Sequence, residues 1–281
     1  TRFEDAMRSR VFEPVGMQNV TYFAQEAILH PVSVGHGPEE HGGLKIFSPW
    51  PIPRRSNPAG GVSTVPADLL RFAQMHMNDG AIDGRRVLKA ESAKRMRTKQ
   101  VDADAGREWG LGWSLRTIDG VHIAEHNGAT NGFTARLTTI PEKRFAIAIL
   151  TNGDRGGNVH SAISSAVLEH RFGLTEQKPL PVEVDNNLLA RYAGRYRQDL
   201  AEMDLVLEDG QFTVSRRATN PFSGEQTERE PFQFVPTGNQ RLIAVGGESD
   251  GSEADLILNA DGSVRYLRFG GRLAFPVSSA D

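Results

Sequence analysis

Residues 126–130, His-Asn-Gly-Ala-Thr, bring together the groups of this chain best suited to bond chemistry. A histidine at a strand edge can donate a hydrogen bond to a substrate carboxylate, or carry a proton near neutral pH. A backbone N–H just beyond a glycine can point at a developing oxyanion. The same residues also suit a plain connection, since Gly128 and Gly132 relieve crowding where strands bend. The pattern predicts that His126 ends the strand "VHIAEH" and that a glycine-rich turn leads from it into "FTARLTTI".

Other polar residues make weaker cases. "GHGPEEHGG" offers His36, Glu39, Glu40 and His41, but not the helical H-E-x-x-H spacing of a zinc site, and its glycines do not fix ligands. It reads as a solvated loop, and no metal is expected. His76 stands among apolar helix residues, as a packed histidine would. "GGVST" lacks the G-x-x-x-x-G-K-[ST] pattern of a phosphate loop. Trp109 and Trp113 could line a pocket, although aromatic residues in strands usually belong to a core. Ser56, in "SNPAGG", has no lysine or histidine at a supporting distance and reads as a turn residue. With 0 cysteines the chain has no thiol chemistry and no disulfides.

The elements that must hold these residues follow from periodicity. A helix is expected over 1–12 and broken by "EPVGM"; a loop-rich tract then runs from about 24 to 61. "STVPADLLRFAQMHMNDG" predicts a helix capped by Ser63 or Thr64, with Asp68 at its positive end. Leu69, Leu70, Phe72, Ala73, His76 and Met77 form its apolar face, and Gly80 ends it. A short helix is expected near 90–97. Strands are expected at "EWGLGWSLRTI", "VHIAEH", "FTARLTTI" and "RFAIAILTN", the last two joined around Pro141-Glu142-Lys143. A covering helix follows over 158–174, capped by Asn158, with Val159, Ile163, Ala166, Val167 and His170 on one face. These elements predict an α+β domain over 1–174, an antiparallel sheet with packed helices. A polar, proline-bearing linker over 175–181 precedes a small all-β barrel domain over 182–281, with tight turns at Asp209-Gly210 and Asp261-Gly262.

The 281 residues are 38% hydrophobic and 24% charged, with net charge −3, so no basic surface argues for nucleic acid or an anionic membrane. No apolar run reaches the roughly 18 residues of a transmembrane span. The chain starts at Thr1, and a segment preceding it is expected.

In order along the chain stand "FEPVGMQNV", "NPAGGVSTVPADLLRFAQMHMNDG", "GLGW", "HNGATNGF" and "FAIAILTN". Over residues 1 to about 174 this series resembles the carboxyl-terminal half of the serine β-lactamase and penicillin-binding-protein family, in its class C β-lactamase, esterase and D-aminopeptidase branch. The tail, with "LLARYAGRY", is similar to the lipocalin-like β-barrel often appended to such hydrolases.

The resemblance implies that His126-Asn127-Gly128 is the family's third active-site motif, a Lys or His followed by a small or polar residue and Gly. His126 would contact the substrate carboxylate or support proton transfer, and Ala129 would give its N–H to the oxyanion hole. Asn127, Gly128 and Thr130 would line the substrate. No metal or organic cofactor is implied, and the substrate would be an ester, an amide (including a D-amino-acid peptide) or a β-lactam. Histidine in place of lysine leans toward esterase or peptidase variants.

The family's acyl transfer needs a serine with a lysine one helical turn later, S-x-x-K, and a Tyr-x-Asn. Neither occurs here: Ser92-Ala93-Lys94 has the wrong offset, and Tyr22, Tyr192, Tyr196 and Tyr266 lack the asparagine. The expectation is therefore a hydrolase half whose nucleophile lies in sequence outside these residues. Its strand edges and apolar surface would await a companion fragment or self-association. The rival is a non-catalytic protein that binds a peptide or a peptidoglycan-like ligand. The family leans toward a periplasmic or extracellular location.

Overall fold

The computed structural model of the chain describes residues 1–39, 43–50, 52–103, 107–153, 155–220 and 224–277. Two compact units form, one of Thr1–Val101 and Glu108–Glu176, the other of Asp102–Arg107 and Gln177–Asp281.

The first unit opens with helix α1 (Phe3–Met7), a π-wound turn over Arg8–Phe12 and α2 (Glu13–Val15). The helix was expected to break at "EPVGM", yet it runs through Pro14 and stops at Gly16, whose φ of 78° suits a glycine. Pro14 cannot donate to the turn below it, and the widened π turn absorbs that loss. The 24–61 tract also carries structure: α3 (Ala24–Ala27), β1 (His36–Pro38) paired with β2 (Leu44–Ile46), and α4 (Asn57–Gly60).

Helix α5 (Pro66–Met77) follows. Val65 precedes it without any side-chain cap, because Ser63 is drawn into a backbone bridge with Thr21 and neither Ser63 nor Thr64 caps the helix. The buried carboxylate of Asp68 serves its first turn and accepts the Asn19 N–H at 2.6 Å. Leu70 is exposed, against expectation, whereas Met75 is buried in a cluster with Phe12, Val15, Met17 and Ile82. The helix is covered on two sides, so its buried arc is displaced from the stripe that simple periodicity draws.

A short hairpin, β3 (Ala81–Ile82) and β4 (Arg85–Arg86), and helix α6 (Ala90–Met96) lead to the sheet. Its strands are β5 (Val101–Asp102), β6 (Glu108–Trp109), β7 (Ser114–Ile118), β8 (Val121–Thr130), β9 (Phe133–Ile140) and β10 (Phe145–Thr151), lying in the order β10-β9-β8-β7-β6-β5. The period of two sends Leu115, Ala124 and Leu137 to one face, where they join Ala73 of α5 and Trp113. Ile118, Ile123 and Ile140 go to the other face, against Leu168 and Leu174.

Leu168 belongs to α7 (Gly156–Phe172). Asn158 does not cap this helix; it lies inside the first turn, and the chain enters through Arg155 without a side-chain cap. The buried stripe is Gly156, His160, Ser164 and Leu168, while Val159, Ile163, Ala166 and His170 are exposed. The helix seats its small and polar residues because the strand ends beneath it present threonine hydroxyls.

In the second unit α8 (Asn186–Ala190), absent from the sequence expectation, is capped by the Asp185 carboxylate, which accepts the Asn187 N–H at 2.9 Å. The strands β11 (Gly194–Gln198), β12 (Ala201–Glu208), β13 (Gln211–Thr219), β14 (Gln226–Gly238), β15 (Arg241–Val245), β16 (Glu253–Leu258), β17 (Val264–Phe269) and β18 (Arg272–Pro276) form a closed barrel. Its interior is filled by Met203, Phe212, Phe234, Leu242 and Leu267. Asp209 and Gly210 take φ of 50° and 81°, the tight primed turn expected of that dipeptide. Asp261-Gly262 departs from it: β16 and β17 are joined by a longer loop over 259–263, in which the Asp261 carboxylate accepts the Ser263 N–H at 2.9 Å. A bond from the Ser263 hydroxyl, and then that backbone bond, lower the pKa of Asp261. Among the described residues no helix is long and apolar enough to cross a membrane.

Candidate functional site

His126–Thr130 is not a turn. The segment continues β8, and the connection to β9 is the pair Asn131-Gly132. Strand pairing sets Asn127 opposite Arg136, Gly128 opposite Ala135, Ala129 opposite Thr134 and Thr130 opposite Phe133. Gly132 makes the tight connection possible with φ of 69°; a Cβ there would lie 2.5 Å from the His36 nitrogen.

Two features of this register matter chemically. A two-residue connection makes Thr130 and Phe133 the hydrogen-bonded closing pair, so the alternation turns the N–H groups of Asn127 and Ala129 away from β9. On that other side the pairing with β7 ends at Ser114 and Glu125. The last five residues of β8 thus overhang their neighbour, and among the described residues no strand pairs with the backbone edge where β7 would have been. His126, Gly128 and Thr130 share one face of the overhang; Asn127 and Ala129 share the opposite one.

The surroundings fix the overhang from several sides. The Trp109 ring meets the His126 ring edge-on at 5.8 Å. Arg136 donates from Nε to the Asn127 Oδ1 at 2.9 Å. A Cβ on Gly60 would lie 3.4 Å from the Thr130 Cγ2, so α4 packs close to the end of β8. Asn57, at the start of α4, is held by Glu4, which accepts from its Nδ2 at 2.9 Å and from Arg54 at 2.9 and 3.0 Å. Those donors, Arg54 foremost, hold the Glu4 carboxyl down at about 2.

Behind the strand lies a half-buried polar chain. The hydroxyls of Thr134 and Thr151 are 2.6 Å apart, and Thr151 lies 3.0 Å from the His160 Nε2. Gly156 lets α7 come this close, since a Cβ there would lie 1.9 Å from the Thr151 hydroxyl. Burial, and then the nearby charge of Arg136, lower the pKa of His160. One residue before His126, the Glu125 carboxylate is 1% exposed and faces Arg116 at 3.2 Å, with the Thr138 hydroxyl donating to it at 3.3 Å. This pair ties β7, β8 and β9 together at the point where β7 gives out.

The remaining candidates lie elsewhere. His36 is in β1, with its Nδ1 3.2 Å from the Asn152 carbonyl. Glu40 and His41 fall outside the described residues. Ser56 sits in a short 3-10 turn before α4. His76 is in the core between Phe72 and Trp113, its ring 4.7 and 5.2 Å from theirs, and Trp113 is core as well. Sequence reasoning missed Arg136, Thr134, Thr151 and His160. Threonines alternating along "FTARLTTI" carried some signal, but their partners come from a distant helix.

The β-lactamase family profile matches residues 1–172. The chain is 31% identical over 211 residues to penicillin-binding protein 4 of Amycolatopsis lactamdurans, a match covering 70% of this chain and 54% of that protein. It therefore spans about half the length of that relative. Among solved structures, SurE superposes with a TM-score of 0.72 at 20% identity, covering 99% of this chain and 64% of SurE. The octameric penicillin-binding-protein homologue of Pyrococcus abyssi follows at a TM-score of 0.56 and 20% identity, over 98% of this chain and 60% of its own. At those identities the structural likeness speaks for the fold. With the profile covering more than half of the residues, the chain belongs to the β-lactamase family.

Proposed function

We propose that these residues form the second half of a serine acyl-transfer hydrolase acting on an ester, amide or β-lactam. The observation that supports the reading is the overhang of β8, where the Ala129 N–H faces an open edge beside His126. A serine supplied from outside these residues attacks the substrate carbonyl, its hydroxyl proton passing to the lysine of the same S-x-x-K, and the resulting oxyanion takes a hydrogen bond from the Ala129 N–H. His126 contacts the substrate carboxylate or passes a proton to the leaving group, while Asn127, Gly128 and Thr130 flank the substrate. Collapse of the tetrahedral intermediate expels the leaving group, and water then releases the acyl group from the serine. Histidine rather than lysine at 126 favours an ester or peptide. The chemistry calls for no metal or organic cofactor, and a location outside the cytoplasm fits the family.

The test is denaturing intact-mass analysis after incubation with a fluorophosphonate serine probe. Label on a polypeptide that extends beyond this chain, or on a companion to it, is the expected result. A single unlabelled chain of 30.8 kDa would sink the proposal and leave a ligand-binding protein of hydrolase ancestry.

A further inference from the structure

The second unit contains an arginine that its own neighbours do not neutralise. Arg216 on β13 stands opposite Met203 on β12, and Met203 is fully buried in the barrel core. Residues paired across neighbouring strands share a face, so Arg216 projects inward. Its Cζ lies 6.0 Å from the centroid of the Phe269 ring, itself an interior residue. The Nε is buried and has no hydrogen-bond partner, and among the described residues no carboxylate pairs with this guanidinium. Across the ladder on the other side stands a second arginine, Arg229, at 3.4 Å from Glu248. Burial first, and then the charge of Arg229, lower the Arg216 pKa, with Glu248 offsetting only part of this.

Arg216 is half-buried, and a partly desolvated cation without a paired counter-charge costs free energy that an anion would return. The next rung of the same face toward the barrel mouth is the pair Ala201 and Ala218, whose side chains end at a methyl group. Met203 fills the same rung beside Arg216, and the Phe269 ring lies 6.0 Å from its Cζ, so a long apolar tail has no room. The geometry points to the Arg216 end of the barrel as a binding site for a small organic carboxylate, seated on the guanidinium fork of Arg216 with Arg229 adjoining it.

The sequence supplies a local reporter. Of the 6 methionines, Met203 alone falls after residue 96. In the full chain labelled with methyl-13C methionine, benzoate is expected to shift the Met203 resonance and leave the others in place. The neutral isostere benzamide should not. Arg216→Leu should weaken the benzoate response by at least about tenfold, the worth of one charge-assisted bidentate contact. Ala218→Leu, which retains the arginine and narrows the approach, should weaken it as well. The proposal falls if benzoate leaves Met203 unmoved, if benzamide acts equally, or if both variants respond like the parent. Inorganic phosphate shifting Met203 as strongly as benzoate would also overturn it, because the mouth would then be an unselective anion seat.

Discussion

Lowering the pH from 7 to 5 should destabilise the first unit of this protein, with His76 making a separable contribution. The imidazole is 1% exposed, packed between Phe72 and Trp113, and its Nδ1 has no hydrogen-bond partner. Burial, with a smaller contribution from Arg97, depresses its pKa from 6.5 to about 4. A depressed folded-state pKa means that the unfolded chain binds the proton first. The associated stability is therefore complete above pH 6.5 and is lost as the pH falls toward 4. At about 1.4 kcal/mol per unit, the loss is roughly 2 kcal/mol by pH 5 and about 3 kcal/mol in full. The 3 tryptophans, Trp50, Trp109 and Trp113, all lie in the first unit, so their fluorescence follows its unfolding without interference from the barrel. Urea titrations at both pH values should show a loss larger in the parent than in His76→Leu by roughly 2 kcal/mol. His160, also depressed, contributes equally to both proteins and cancels. Equal losses in parent and variant would refute the argument, since the acid sensitivity would then arise elsewhere.

Three further outcomes are expected. Gly156→Ala places a methyl group 1.9 Å from the Thr151 hydroxyl and should lower unfolding stability by about 1–3 kcal/mol in a thermal or urea melt, the usual cost of overpacking. Glu4→Gln should flatten acid unfolding between pH 4.5 and 2, because the paired Glu4 carboxylate contributes stability above its ordinary value and loses it as the pH falls toward about 2. This is read by circular dichroism along an acid titration. Ala129→Pro removes an N–H that faces away from β9, so the fold should survive. In the probe-reactive protein the rate of fluorophosphonate labelling should drop by roughly 100-fold, and an unchanged rate would remove Ala129 from the oxyanion site.

The barrel was legible where turn chemistry is local. Asp209-Gly210 announced its hairpin, whereas Asp119-Gly120 forms the same kind of turn between β7 and β8, with φ of 50° and 79°. Asp261-Gly262 misled because a side chain, and not the dipeptide's backbone preference, organises that loop. Helix α7 was found, but its buried side was misread. Counting apolar residues selects Val159 and Ile163, while the tertiary partner offers threonine hydroxyls, one of which pairs with His160, and both of which require Gly156. At the candidate site the residue types were readable in the order His126-Asn127-Gly128-Ala129. The open edge was not, because it depends on how far β7 runs alongside β8, which no local pattern records. The same holds for the Glu125–Arg116 pair, two charges that an alternating strand would be expected to send to solvent.

Closure of the barrel bears on how it folds. The hairpins from β12 to β18 pair near neighbours in sequence, but the seam joins β11 to β18 through Tyr196 with Pro276 and Arg197 with Phe275. Bringing such distant residues together carries the largest loop-closure entropy of any pairing in the unit, and its reward arrives only once the intervening strands have formed. Loop-closure entropy thus predicts that the seam is the last register to be set on folding. Until it is set, β11 and β18 are two unpaired edges, and the concentration of neighbouring chains decides whether they find each other or a stranger.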